Sequence, residues 1–443
     1  MPKLEIAEIE RRLNSCLGAA SLDECGRQQG LEQRQHRGIP TSGLVCSLLS
    51  SLGSREVETL ADLHRDFQAT RGSSVNYKPF YEKLDKSGFS RTMKAIFGDI
   101  VAGLTPPILR PAKSSPLGWL DDVIIQDGTS VGLHPALRHA FPSRFTKLHP
   151  AGAELHVTMS LWRQAPTKVQ ITPDSESELK FLPAPEELRN KLLLADRGYR
   201  GLGYLSEVDR AGGFFAVRMN SIANPIVVRV LSGSRRMRQQ VGKRLDEALE
   251  NAGKKECADL IVRFSARGER KECTYRLVVK RLHNPRIDHK HCDRWMRIVT
   301  NISPQRLSGA QILLAYRLRW QIELFFKELK SYANLRTFCT RKKAIAEGLF
   351  WASLCAAALK RYLAHACQLH RQIAAISSRR LAMCAHTFLN PILAVLVASD
   401  TRGLKPILAR AFEFLSLSAR RSNPDRERKR GLLALGLVPC GLP

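Results

Sequence analysis

The spacing of hydrophobic residues changes twice along the chain. Up to about residue 104, apolar residues recur every three to four positions, as in REVETLADLHRDF, and this spacing predicts mainly helices. Short β-branched runs such as DDVIIQDGTS and ELHVTMSLW then predict strands as far as about residue 300. The helical spacing returns after that point. The pattern therefore predicts an α/β protein with a strand-rich centre and helical regions on either side.

The net charge of the chain points to a polyanionic partner. Lys and Arg number 70 against 41 Asp and Glu, so the formal net charge is +29. Self-repulsion of this size destabilises a compact fold that has no counter-charge, which favours nucleic acid as the partner. A membrane is not expected, because the longest apolar run is about a dozen residues against roughly 20 needed to span a bilayer. A solvated basic surface without a partner is the alternative.

The cysteines and the N-terminal stretch indicate a reduced, cytoplasmic protein, nucleoid-associated if it binds DNA. The 11 cysteines form no CxxC pair, and MPKLEIAEIERRL carries charges where a signal peptide needs apolar residues. One group of possible zinc ligands has a spacing that matches no zinc finger or ribbon, so zinc is the weaker interpretation for Cys273, His283, His289, His291 and Cys292.

The stretch YRLRWQIELFFKELK, residues 316–330, gathers charged residues on one side of a predicted helix. At about 100° per residue, an arc of roughly 80° contains Tyr316, Arg319, Glu323, Lys327 and Lys330. Apolar residues flank this arc on one side at Leu318, Ile322, Phe325, Phe326 and Leu329, and on the other at Leu313, Trp320 and Leu324. Burying so many unpaired charges would cost several kcal/mol each, so the arc should face a cleft and an anion. An Arg319–Glu323 pair within the helix is the simpler alternative, but it does not explain the excess of basic residues.

Two aspartates end predicted strands, Asp127 in QDGTS and Asp196 in ADRGYRG. An acid at the end of a central strand is held rigidly at the sheet edge where α/β sites form, and Glu323 could complete such a site from a helix. Three carboxylates suffice for two Mg²⁺ ions, which prefer oxygen ligands and keep several waters. Two such ions cleave phosphodiesters, one activating the attacking hydroxyl and the other stabilising the leaving oxygen.

The spacing Y-x2-R-x3-E-x6-K resembles the YREK signature of bacterial insertion-sequence transposases of the IS-four family, within the DDE superfamily. QDGTS and ADRGYRG look like the two acid motifs of that family, and the resemblance covers roughly residues 119–345. It implies an RNase H-like core, a mixed sheet flanked by helices, which a β-rich insertion interrupts between Asp196 and Glu323. Those two acids and Asp127 would hold two Mg²⁺ ions, for which Mn²⁺ could substitute.

The same resemblance implies roles for the remaining site residues. Tyr316, Arg319 and Lys330 would contact phosphates near the cleaved end, and Lys327 of the same arc is expected to contact DNA as well. A tryptophan at the end of the insertion would stack on a flipped-out base, and Trp295 in RWMRIV occupies that place. Stacking of this kind is worth roughly 1–3 kcal/mol. A core aromatic on a strand is an equally good interpretation of Trp295.

Four prolines in TPPILRPAKSSPLG mark a linker and help to divide the chain. We expect a helical DNA-binding region, the linker, the first part of the core, the β-rich insertion, the second part of the core with the YREK helix, and a helical C-terminal region with a basic tail, at residues 1–104, 105–118, 119–214, 215–300, 301–370 and 371–443. The pattern of the first region fits DNA-reading helices and a plain helical bundle equally well.

The predicted function is that of a DNA transposase. It would bind the terminal inverted repeats of its element, cleave them through hairpin ends and join them to target DNA, with two copies forming a homodimer on the paired double-stranded ends. One alternative is a catalytically inactive, domesticated or regulatory DNA-binding protein. Another is a nonspecific RNase H-like nuclease, which would cleave without a preferred end sequence.

Overall fold

A nine-stranded mixed sheet forms the centre of the molecule. The computed structural model describes residues 3–32, 38–54, 56–71, 74–144, 146–199, 201–220, 222–252, 257–266, 272–282, 287–288, 291–292, 294–336, 338, 340–373, 376–398, 401–419 and 431–440. The strands of the sheet are β2 (Asp122–Gly132), β3 (Gly152–Ser160), β4 (Ala165–Pro173), β5 (Lys191–Ala195), β6 (Phe214–Arg218), β7 (Ile226–Ser232), β8 (Cys257–Phe264), β9 (Cys273–Arg281) and β12 (Trp295–Thr300).

The strands lie in the order β4-β3-β2-β5-β6-β12-β9-β8-β7. Strands β5 and β6 run parallel to β2, whereas β3 and β4 on one side and β12, β9, β8 and β7 on the other are added in antiparallel fashion. The strands from residues 226–300 therefore extend the central sheet on the side of β6. The predicted α/β class, a mixed sheet flanked by helices, is confirmed.

The central strands are apolar because both faces of the sheet are covered. The sequence LLLA of β5 is buried throughout, and all nine residues of β3 are buried, including the polar Glu154 and His156. Strands buried on both faces lose the polar alternation of a half-exposed sheet. Two short antiparallel ribbons lie outside this sheet, β1 (Leu109–Pro111) with β13 (Leu437–Pro439) and β10 (Ile287–Asp288) with β11 (His291–Cys292).

Helices from both ends of the chain pack into one core. The N-terminal helices are α1 (Ile6–Leu17), α2 (Ala19–Gln28), α3 (Thr41–Ser54), α4 (Leu60–Arg71), α5 (Tyr77–Leu84) and α6 (Ser87–Leu104). The later ones are α7 (Leu202–Arg210), α8 (Arg235–Arg238), α9 (Leu245–Glu250), α10 (Gly309–Arg317), α11 (Trp320–Tyr332), α12 (Lys343–Arg371), α13 (Ser378–Cys384), α14 (His386–Val397) and α15 (Leu404–Ser418).

The 29-residue helix α12 lies against both α6 and α3, and α14 also packs on α3. Helix α3 is buried from Thr41 to Gly53 as a result. Residues 1–104 and 371–443, which the sequence divided into separate regions, thus contribute to a common core. The 105–118 segment is held too, since β1 pairs with β13 and the Ser115 hydroxyl donates to the Leu435 carbonyl at 2.6 Å.

Two sequence features lie wholly or mainly outside the described residues, namely the basic run of residues 420–430 and the His/Cys-rich stretch of residues 283–293. In the part of the chain that is described, no helix has the length and apolar character to cross a membrane.

Candidate active site

Asp127 and Asp196 come together because their strands are neighbours in parallel register. Gln126 on β2 pairs with Ala195, the last residue of β5, so Asp127 is the next residue along β2 and Asp196 comes directly after β5. Adjacent strands lie about 4.8 Å apart, and in-register residues of parallel strands point to the same face. The sheet thus places the two acids side by side, as expected. Asp196 follows the end of its strand, but the prediction that Asp127 also ends a strand is wrong, because β2 stays paired with β3 past Asp127 as far as Gly132.

The segment that carries the YREK residues is two helices and not one. Helix α10 ends at Arg317 and α11 begins at Trp320, and the junction is held by i→i+3 hydrogen bonds, among them Arg319 N–H to the Tyr316 carbonyl at 3.1 Å. Such bonds form a tighter turn than the α-helix. The prediction of one uninterrupted helix is therefore wrong at residues 318–319. Both helices still have buried apolar residues.

The apolar side of this segment is as predicted, but its other side is more open. Ile322, Phe325 and Leu329 are fully buried. Leu313 is buried as well, whereas Trp320 is 58% exposed. The expectation that Trp320 would flank the charged arc as a core residue is wrong, because its indole lies at the surface.

Arg319 bridges two of the three predicted acids. Its Nη1 donates to Asp127 Oδ2 at 2.5 Å and its Nη2 to Glu323 Oε1 at 3.1 Å, with only 13% of its side chain exposed. Tyr316 Oη donates to Asp196 Oδ1 at 3.1 Å, so the third acid is tied to the same helix pair. The structure therefore gathers Asp127, Asp196 and Glu323 at one place, and the Arg319–Glu323 pair within the helix is only part of a wider network.

Burial governs the ionisation of this network. It raises the pKa of Asp127 to about 7, although the Arg319 guanidinium and the Gly128 N–H both favour its carboxylate. Burial also raises the pKa of Tyr316, and the neighbouring Asp196 adds to that rise, so its phenol stays protonated at neutral pH. A buried carboxylate whose pKa is raised by burial beside a specific charged partner is typical of a functional site.

The two lysines of the arc lie in different places. Lys330 Nζ donates to the Ser130 carbonyl on β2 at 3.2 Å, which puts its ammonium beside the strand that carries Asp127. Lys327 is exposed and, among the described residues, has no hydrogen-bonded or ion-paired partner. Lys330 thus belongs to the site, and Lys327 projects into solvent from the same helix.

A buried polar cluster behind the sheet supports both acid motifs. A Cβ at Gly128 would lie 2.6 Å from Glu154 Oε1, and one at Gly198 would lie 1.7 Å from Glu178 Oε2. Arg144 joins these two carboxylates, with Nη2 2.9 Å from Glu154 Oε2 and Nη1 3.6 Å from Glu178 Oε1. The glycines that follow Asp127 and flank Asp196 are therefore needed for the close approach of these carboxylates.

Glu154 is the most buried acid of this cluster. Burial raises its pKa to about 7, the Glu178 carboxylate adds to the rise, and Arg144 opposes it. Glu154 and Glu178 could not be found from the motifs, because both lie in the stretch between QDGTS and ADRGYRG and belong to neither. The single signal was the acid at the start of the strand-like run ELHVTMSLW.

Trp295 does not lie on the surface. It lies on β12, is 7% exposed and packs in a cluster of buried apolar residues that includes residues of β6, β8 and β9. The guanidinium carbon of Arg281 is 5.8 Å from its ring centroid. This placement agrees with a core aromatic and does not support base stacking by Trp295. Trp320 directly follows Arg319, which contacts Asp127 and Glu323, and its side chain is exposed. The exposure of Trp320 could not be predicted from the sequence, because its helical phase is that of the apolar residues Leu313 and Leu324.

The donor set of the site fits a divalent cation, although a guanidinium takes part in the present arrangement. Asp127, Asp196 and Glu323 offer only carboxylate oxygens, which are the ligands that Mg²⁺ and Mn²⁺ prefer. Arg319 supplies the positive charge between Asp127 and Glu323. Among the described residues, no three His, Cys, Asp or Glu side chains are grouped closely enough to hold a metal ion as they stand.

Comparisons with known proteins place this chain among transposases. A family model described as Transposase DDE domain matches residues 118–359, more than half of the chain. A transposase for insertion sequence element IS1151 from Clostridium perfringens is 24% identical over 247 residues, which cover 48% of this chain and 50% of the relative. A transposase for insertion sequence element IS421 from Escherichia coli is 39% identical over 62 residues, 14% of this chain and 17% of that protein.

The chain therefore spans half or less of the length of these curated relatives. Among solved structures, the piggyBac transposase synaptic complex with hairpin DNA is similar over 95% of this chain and 87% of that chain, with 9% identity and a TM-score of 0.45.

Proposed function

The chain belongs to the transposase DDE domain family, and on that premise we propose that it is a DNA transposase that cleaves and joins the ends of its own insertion sequence. The expected membership of the DDE superfamily is thereby confirmed, whereas the narrower IS-four assignment stays a prediction. The observation that carries the proposal is the convergence of Asp127, Asp196 and Glu323 around Arg319.

DDE transposases use divalent metal ions, and we propose that the three acids hold two Mg²⁺ ions here, with Mn²⁺ as a substitute. When bound, such ions activate the attacking oxygen and stabilise the leaving oxygen of a phosphodiester. The acids of this chain are held in place for that role by their strand register and by the Tyr316 hydroxyl.

The basic residues of the site would bind the DNA phosphates next to the cleaved bond. Arg319 is suited to this because a guanidinium fork donates to two phosphate oxygens at once, and this fork lies between two of the acids. Lys330 lies beside β2 and would act as a point charge, and the exposed Lys327 would contact DNA further along the helix.

Binding of terminal inverted repeats, target joining, and pairing of two ends by a homodimer belong to this proposal. So does excision through hairpin ends, for which the exposed Trp320 is a better stacking residue than the buried Trp295. Its predicted place at the bacterial nucleoid stays a prediction.

Cleavage of end DNA by acid variants tests the proposal. Asp127→Asn, Asp196→Asn and Glu323→Gln should bind end DNA like the wild type but lose Mg²⁺-dependent nicking, because each lacks one ionic oxygen ligand. The matched control is Asp121→Asn, which changes an exposed aspartate directly before β2. This variant should nick normally. The substrate is the DNA that flanks the gene, with the same sequence scrambled as a second control.

Three results separate the alternatives. Binding without nicking by the wild type would identify a non-catalytic DNA-binding protein. Nicking of scrambled DNA at the same rate would identify a nonspecific nuclease. Nicking that persists in all three acid variants would refute the assignment of the site.

A further inference from the structure

One segment of the chain is basic and contains no acid. Residues 210–245 contain eight Lys and Arg and no Asp or Glu, although the chain as a whole has 41 acids. This segment supplies more than a quarter of the formal net charge of +29 from about a twelfth of the chain length. This segment lies outside the YREK helices.

Four of these residues form a surface that we call the β7 arginine cluster, defined as Arg229, Arg235, Arg236 and Arg238. Arg229 lies on β7, the edge strand of the sheet, and the other three make up most of the short helix α8 that follows it. All four are exposed. The cluster therefore occupies the edge of the sheet that is opposite to β4.

The support under the cluster is rigid. Met237 of α8 is fully buried, and its N–H donates to the Ser234 hydroxyl at 3.2 Å. Gly233 has φ +157 and sits so close that a Cβ would lie 3.3 Å from the Met237 side chain. The arginines are thus held on a packed element, which lowers the entropy lost when they bind a ligand.

The charges of the cluster are not neutralised within the protein. Nearby Lys243 pairs with Glu247 at 2.7 Å, but none of the four arginines forms an ion pair with any residue of the described part. Exposed guanidinium groups on two consecutive elements repel one another, and an anion bound among them relieves that repulsion. Guanidinium forks match phosphate oxygens, and a row of them matches a phosphate backbone.

The distance from the site to the cluster suggests which phosphates are bound. Five strand spacings separate β5, which leads to Asp196, from β7, and at about 4.8 Å each they add up to about 24 Å. A duplex advances 3.4 Å for each base pair along one strand, so this distance corresponds to about seven base pairs.

We propose that the β7 arginine cluster binds the phosphate backbone of the same duplex whose end lies in the active site, about seven base pairs from the cleaved bond. This inference rests on the proposed function, because it takes that bond to lie at Asp127, Asp196 and Glu323. The contact is independent of sequence, since arginines on a sheet edge and a four-residue helix reach phosphates and not base edges.

The test measures binding of the full-length chain in a Glu323→Gln background, so that the DNA is not cleaved during the measurement. The variant is Arg235→Gln, Arg236→Gln and Arg238→Gln together. The control removes the same charge from the helical body through Arg379→Gln, Lys405→Gln and Arg410→Gln, all exposed positions. A third protein carries lysine at 235, 236 and 238, which keeps the charge and removes the fork.

The glutamine variant should bind end DNA at least about tenfold more weakly at 100 mM salt. The slope of log K against log salt should fall by about 2–3, because three phosphate contacts are lost. Its hydroxyl-radical footprint should lose protection about seven base pairs from the cleavage site and keep it at the site itself. The lysine variant should keep most of the slope, and the control should keep both slope and footprint.

An unchanged footprint, or a slope that falls equally in the control, would overturn the inference even if end binding and nicking by the wild type are intact. Failure of the wild type to bind or nick end DNA would instead overturn the proposed function. Equal melting temperatures of the four proteins would show that binding, and not folding, has been measured.

Discussion

Replacing Glu154 with glutamine should remove a pH-dependent loss of stability from the fold. Burial raises the pKa of Glu154 from its usual 4.5 to about 7, so the folded protein prefers its neutral form. A group whose pKa is raised on folding stabilises the fold at low pH, and that stabilisation is lost as pH rises from the unfolded to the folded value. The window is therefore pH 4.5 to about 7.

Between pH 5 and pH 8 the wild type should lose about 2.5 kcal/mol of unfolding free energy through this one group. Glutamine keeps the shape and the hydrogen bond to Arg144 but cannot ionise, so Glu154→Gln should gain on the wild type by that amount over the same range. Urea denaturation of both proteins at the two pH values measures the difference. The exposed Glu186→Gln serves as the control and should follow the wild type.

A stability difference between wild type and Glu154→Gln that is the same at pH 5 and pH 8 would contradict this reasoning. It would mean that Arg144, at 2.9 Å, keeps Glu154 ionised throughout the range. The polar cluster would then act as a fixed ion pair and not as a buried acid.

Three further results are expected. Trp320→Ala should abolish the change in tryptophan fluorescence on adding end DNA, whereas Trp295→Ala should leave that change intact. Trp295→Ala should also lower the free energy of unfolding by about 3–5 kcal/mol through lost core packing, as urea denaturation would measure. The opposite pattern would identify Trp295 as the stacking residue. Arg361→Met should cost about 3–5 kcal/mol in the same assay because it strands buried Glu328, now 2.8 Å from the guanidinium, and adding Glu328→Gln should recover much of that loss. End binding by the wild type should weaken steeply between 50 and 200 mM salt, and a flat dependence in a filter-binding assay would argue against phosphate-dominated contact.

The acids of the site could be predicted from the sequence because their signals are local. ADRGYRG joins a hydrophobic strand to a turn, and QDGTS directly follows the apolar residues VII of β2. The parallel register of β2 and β5 then brings Asp127 and Asp196 together. Glu323 was found from helical phase and from its spacing to Tyr316 and Arg319. Each inference needed fewer than twenty residues of context.

The rest depends on contacts that a local pattern does not encode. The i→i+3 turn at residues 318–319 has the same apolar spacing as a continuous helix, so the exposure of Trp320 was not visible. Trp295 has a strand pattern that fits a core and a stacking surface alike. Glu154 lies against Gly128 and Glu178 lies against Gly198, and both contacts join residues that are remote in sequence. Neither acid motif contains a pattern that predicts its contact.

The packing of α12 on α3 has a consequence for how the chain is made. Helix α3 is synthesised more than 300 residues before the end of α12. At 5–20 residues per second, a nascent chain waits roughly 15–60 s before the ribosome delivers that partner. Over this interval the side of α3 that α12 covers has no partner from α12, so we expect a chain truncated before α12 to aggregate.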